Sequence, residues 1–208
     1  MISDNLNKHF NNIEGILNRI GERVEGNLIC DVDPSNSTIT INLDKIKNLQ
    51  YLAKNKTKVC EIGVNAGHSL LLMLEENSTA DYLIFDLNNH GYTQPCIDYI
   101  KESYPNTNIE VVYGDSKIKV LEYLMNNPDL KYQFDLIHID GGHGIDEVIC
   151  DYNSTKFLSG DNCIFIFDDY DYPTIQKFID DKLLNNEIKK TKDVGLIDTN
   201  LHYIYNLI

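Results

Sequence analysis

The sequence predicts an α/β protein: a doubly wound, mostly parallel sheet of seven strands, closed by a C-terminal antiparallel hairpin and preceded by an N-terminal helical extension. Three observations carry that reading. From Lys58 onward, short apolar runs alternate five times with amphipathic helical patterns, the signature of parallel strands joined by crossover helices. The tail holds two alternating runs with no helical pattern between them, which suits an antiparallel pair. No repeat, low-complexity tract or Pro/Gly/Ser linker divides the 208 residues, so the chain reads as one unit over 58–208 with an extension over 1–57.

In the extension, Leu6, Phe10, Ile13, Ile16, Leu17 and Ile20 recur at helical spacing. A polar, turn-rich stretch, GERVEGNLICDVDPSNST, follows and reads as a mobile lid, and a second helical pattern runs from Leu43 to Ala53. The predicted strands are 58–63, 82–87, 109–114, 134–140 and 163–169, with helices near 67–77, 93–103, 116–126, 145–157 and 173–184. EIKKTKDVG and LHYIYNLI supply the hairpin. In such a sheet ligands bind outside the carboxyl ends of the strands, so the residues just after each strand are the informative ones.

Composition narrows the function. Eighteen Lys+Arg against 32 Asp+Glu leave a formal charge of -14, and that field repels phosphate backbones and anionic membranes. Only Arg19 and Arg23 are arginines, so the bidentate forks used to read bases are scarce. No nucleic-acid or membrane partner is expected; a small-molecule acceptor is. The five cysteines are odd in number, show no C-x-x-C spacing and lie mostly in apolar runs, which predicts a reduced chain. With no basic-then-apolar start and no apolar span of about 18 residues, a soluble cytoplasmic protein is expected. The amphipathic N-terminal helix leaves open whether it packs on its own domain or in a homo-oligomer.

The first strand ends in Glu61-Ile-Gly63-Val-Asn65-Ala-Gly67-His-Ser69, an acid before a glycine turn that opens a helix. It lacks the G-K-[ST] of a phosphate cradle and the G-x-G-x-x-G of a dinucleotide site. The second strand ends in Asp86, within reach of a ribose diol. Together these describe a pocket for a nucleoside without a pyrophosphate. On these residues the chain resembles the class I S-adenosylmethionine-dependent methyltransferases, a Rossmann-like family, over about 58–170. The resemblance implies that Gly63, Asn65, Gly67 and Ser69 line the amino-acid part of S-adenosylmethionine, with the backbone of the two glycines approaching the ligand. It also implies that Glu61 lies near the methionine ammonium, that Asp86 holds the ribose, and that Asp115 and Ser116 lie at the adenine.

The fourth strand ends Asp140-Gly-Gly-His143 and the fifth Asp168-Asp169-Tyr170. These strands are neighbours in the predicted sheet, so Asp140, Asp168 and Asp169 converge. Neither loop offers an obvious Lys or Arg, and three carboxylates repel unless a positive charge sits among them. Oxygen ligands suit a hard divalent cation, Mg²⁺ first, with Mn²⁺ or Ca²⁺ as alternatives. His143 is the candidate general base beside Asp140; a fourth metal ligand or a helix-capping role stays open. His138, inside its strand, reads as packed or hydrogen-bonded, and His68 as a helix start or a ligand contact. Tyr170 and Tyr172 read as an aromatic wall or as ordinary packing.

The DLIHIDGGH and FIFDDYD segments are similar to the metal-dependent O-methyltransferases of macrolide sugars and to cephalosporin hydroxylase relatives. The implied activity is methyl transfer to a hydroxyl of a sugar or other natural product. An amino-methylating nucleic-acid enzyme would carry N/D-P-P-Y/F where this chain has D-G-G-H. The alternatives are a non-methylating metal-dependent enzyme or an inactive S-adenosylmethionine-binding module on the same scaffold.

Overall fold

The computed structural model describes residues 2–25, 30–32 and 39–208. The chain runs α1 (Asp4–Ile20), β1 (Cys30–Val32), β2 (Ile39–Ile41), α2 (Leu43–Ala53), β3 (Lys58–Ile62), α3 (His68–Glu76), β4 (Asp81–Asp86), α4 (Thr93–Ser103) and β5 (Ile109–Tyr113). It continues through α5 (Ser116–Asn126), β6 (Phe134–Ile139), α6 (Ile145–Thr155), β7 (Ser159–Asp168), α7 (Pro173–Leu184), β8 (Ile188–Lys190) and β9 (His202–Leu207). The lid expected between α1 and α2 falls largely outside the described residues; β1 and β2 within it pair antiparallel.

The seven-stranded sheet has the order β5-β4-β3-β6-β7-β9-β8. Five strands are parallel, and β9 runs antiparallel to both β7 and β8, as the tail's alternation predicts. The order reverses at β3 and β6, which leaves a crevice at their carboxyl ends. The central strands are apolar on both faces because helices cover both. One core joins α1 to α4 through Leu6, Ile13, Leu49, Leu70, Ile97 and Ile100. The other lies under α5 to α7, around Val120, Tyr152, Phe165 and Phe178.

The N-terminal helix packs on its own chain. Ser3 caps it by accepting from the Leu6 amide, and Gly21 ends it in the left-handed conformation at φ 76°. Its buried side, including Leu6, Ile13 and Leu17, faces α3 and α4, and Ser3 and Asn5 reach Glu75 while His9 and Asn12 reach Tyr99. None of the described helices is long and apolar enough to cross a membrane.

Candidate active site

The turn after β3 is held from within the protein. Gly63, Asn65 and Gly67 take positive φ of 83°, 54° and 85°. A Cβ on Gly67 would lie 2.3 Å from Ile100 Cδ1, and one on Gly63 would strike the Asp140 carbonyl. Both positions therefore favour glycine for their left-handed backbone, and Gly63 also for the closeness of the Asp140 carbonyl. Asp86, at the end of β4, fixes the same turn: Oδ2 accepts from the Val64 and Asn65 amides at 2.9 Å each, and Oδ1 from the Asn88 amide at 2.7 Å.

Glu61 is fully buried below the turn. Its Oε1 accepts from the Ser69 hydroxyl and meets His138 Nδ1 at 2.8 Å, while Oε2 has no partner among the described residues. A cation-bearing ligand such as the methionine ammonium would complete that acceptor, so Glu61 suits S-adenosylmethionine. Asp115 caps α5 by accepting from the Lys117 amide, and Ser116 donates to Asp151 Oδ1 at 2.7 Å. Both residues thus make structural bonds at the start of α5. Across the turn, Asn65 donates to the Glu25 carbonyl, and Glu22 and Glu25 flank His90 at 2.7 and 2.9 Å. His68 opens α3 with its ring against Phe10, and burial pushes its pKa down to about 4.

The second constellation forms where β6 and β7 end. One oxygen each of Asp140 and Asp168 lies within 4.8 Å of the other and of a His138 ring nitrogen. Burial and the Asp168 charge push Asp140 up to about 8. Burial would also raise Asp168, but His138 and Lys45 outweigh it and hold that carboxyl well below its usual range. His138 itself is driven down by burial and more strongly up by Asp168 and Glu61, to about 10. It lies between two carboxylates, 2.8 Å from Glu61 and 3.8 Å from Asp168, which favour its protonated form and make it a counter-charge to them. Packing inside the strand was expected for it; the charge was not.

Lys45 carries no functional signal in the sequence. Its ammonium lies 2.8 Å from Asp168 Oδ1, and the two side chains are 6% and 3% exposed. It comes from α2, one turn before Asn48, which bonds His202 and both backbone groups of Ile197. A lysine on a short helix reads as solvated, and nothing in a single sequence ties position 45 to position 168.

Asp169 takes φ 53° and turns toward the β6 loop, where its Oδ2 meets His143 Nε2 at 2.7 Å. That bond raises the His143 pKa against the effect of burial. The Tyr172 ring lies 4.2 Å from the His143 ring and is exposed, a wall beside the candidate base; Tyr170 packs against Tyr203. Next to this cluster, a cavity of about 430 Å³ lined by Thr191, Leu196, Ile197 and His202 opens toward the β8–β9 loop, and His202 is the register partner of Asp168. The carboxylates of Asp140 and Asp168, with a His138 ring nitrogen within 4.8 Å of both, form a donor set whose oxygens fit a hard divalent cation.

A family model described as a methyltransferase domain matches residues 60–170. No curated protein matches the chain. Among solved structures it is similar to an O-methyltransferase from Bacillus cereus in complex with SAH, 17% identical, with a TM-score of 0.66 over 97% of this chain and 91% of that one. It is also similar to the O-methyltransferase TomG from Streptomyces achromogenes, involved in tomaymycin synthesis and solved with SAM, at 13% identity and TM-score 0.63 over 100% and 91% of the two chains. A third is an apo TDP-rhamnose 3'-O-methyltransferase of calicheamicin biosynthesis, 15% identical, TM-score 0.59, covering 78% and 77%. At these identities the likeness is one of fold.

Proposed function

The chain belongs to the methyltransferase-domain family, and from that premise we propose that it transfers a methyl group from S-adenosylmethionine to a hydroxyl of a small molecule, with Asp140, Asp168 and Asp169 holding a hard divalent cation such as Mg²⁺. The observation that carries the reading is the juxtaposition of two features at the carboxyl ends of the central strands. The Glu61–Gly67 turn, braced by Asp86, lies at the end of β3, and the carboxylates with His143 lie at the ends of the adjoining β6 and β7.

A divalent cation bound there lowers the pKa of the acceptor hydroxyl and orients it. The chain's own residues do the rest. Asp169 Oδ2 accepts from His143 Nε2–H, which leaves Nδ1 as the ring's free lone pair, and His143 Nδ1 would take the acceptor's proton as the oxygen–methyl bond forms and the sulfur–methyl bond breaks, with S-adenosylhomocysteine as the leaving group. Tyr172 borders that imidazole and offers a ring face and a hydroxyl to a sugar or other cyclic acceptor. The Glu61 carboxylate receives the methionine ammonium and Asp86 the ribose hydroxyls. The sugar-directed activity named for the calicheamicin enzyme supports a sugar or natural-product acceptor here.

Calorimetric titration with S-adenosylmethionine, with Mg²⁺ and after chelation, tests the reading. Binding in both runs, followed by metal-dependent methylation of sugar or aryl hydroxyls, supports it. No cofactor binding in either run sinks it.

A further inference from the structure

Lys45 is in the wrong place for its own helix. It sits in the first turn of α2, where the macrodipole disfavours a cation, and its side chain is 6% exposed, where an ammonium loses its hydration. Neither penalty brings anything to α2. Among the described residues the offset comes from the Asp168 carboxylate 2.8 Å away, with Asp140 and Asp169 adding their fields.

We propose that Lys45 is the resident counter-cation of the carboxylate site and competes with the divalent ion for Asp168, so that it sets how tightly that ion is held; this rests on the metal-dependent reading above. A carboxylate offers about four lone-pair positions, so Asp168 can touch the ammonium and a metal together. Mg²⁺ binds carboxylate oxygen at roughly 2.0–2.1 Å, and an ammonium on the same carboxylate then lies within a few ångströms of it, where like charges repel strongly in a buried setting. The ion must either push the ammonium off Oδ1 or bind against its field. Without the ion, the Lys45 ammonium at 2.8 Å and the His138 ring at 3.8 Å hold the Asp168 carboxylate in place. The site is thereby preformed yet held to modest metal affinity, and the N-terminal extension acquires a part in the chemistry that its sequence does not announce.

The test is calorimetric titration of the full chain with MnCl₂ and with MgCl₂, comparing wild type, Lys45→Met, Lys45→Gln and Lys45→Arg. S-adenosylmethionine binding and melting temperature with and without metal are read alongside. Lys45→Met and Lys45→Gln are expected to bind either ion at least tenfold more tightly. Their melting points are expected to fall below wild type in chelator and to rise further on adding metal. Lys45→Arg, which keeps the charge, stays within about threefold of wild type. If Lys45→Met does not fold, Lys45→Gln decides. Neutral variants that bind S-adenosylmethionine yet hold metal no more tightly than wild type overturn the competition and leave the metal site standing. Metal binding by none of the four proteins overturns both, and the calorimetry therefore separates the two failures.

Discussion

Gly63 and Asp140 meet where β3 and β6 end, so closely that a Cβ built on Gly63 would lie 2.0 Å from the Asp140 carbonyl oxygen and 2.7 Å from its carbon. The Asp140 amide donates to the Ile62 carbonyl at 2.8 Å, which clamps the two strand ends together. The cofactor turn and the carboxylate site thus share one backbone contact. Gly63→Ala adds a left-handed φ for an alanine to that clash. The expected outcome is a loss of several kcal/mol of stability and, in whatever folds, metal affinity reduced at least tenfold. A variant with wild-type melting temperature and metal affinity would show that the contact relaxes freely.

Asp86 is expected to matter to the turn before it matters to the ligand. Its two oxygens satisfy three backbone amides, and a buried donor left without its acceptor costs about 1–3 kcal/mol. Asp86→Ala should therefore lower the melting temperature as well as weaken S-adenosylmethionine binding by tenfold or more. Asp86→Asn, which keeps one acceptor oxygen, should destabilise less. Thermal melts beside calorimetry check the order; equal stability of all three proteins with only binding impaired would assign Asp86 to the ligand alone.

The sheet was legible because the period of its pattern changes at Lys58, and the strands from β3 to β7 fall where the apolar runs stand. The convergence of Asp140 and Asp168 followed from strand adjacency. What stayed hidden depends on contacts between distant segments. Lys45 and Asp168 are joined only by the packing of α2 beside the sheet, and the charge on His138 arises from two carboxylates on two other strands. Asp151, on α6, is buried, and no pattern in the sequence singles it out. Glycine was legible as a requirement, but the nearness of Gly63 to Asp140 and of Gly67 to Ile100 was not.

His143→Ala is expected to reduce turnover by roughly 10²–10⁴, with S-adenosylmethionine binding unchanged. Asp169→Asn separates the two duties proposed for one carboxylate, metal ligation and the contact that orients His143 at 2.7 Å. It should therefore reduce metal affinity where His143→Ala does not. Single-turnover rates with metal titrations read the difference; full activity of His143→Ala would remove the base from the mechanism.

Asp151 predicts how stability depends on pH. It lies buried on α6, its Oδ1 accepting from Ser116 while Oδ2 has no partner among the described residues. Burial pushes its pKa up to about 6 from 3.8, against the pull of the Ser116 hydroxyl. A carboxyl whose pKa is raised on folding contributes its full share of stability below about pH 4, when it is protonated in both states, and loses that share as pH climbs through about 6. Two pKa units amount to about 3 kcal/mol. Asp151→Asn keeps the acceptor for Ser116 and abolishes the titration. It should be more stable than wild type by about 2–3 kcal/mol at pH 7.5 and nearly equal at pH 4, and because every other titrating group is common to both proteins, the difference between their urea midpoints isolates Asp151. A gap of the same size at both pH values would mean that Asp151 is ionised without penalty in the folded chain.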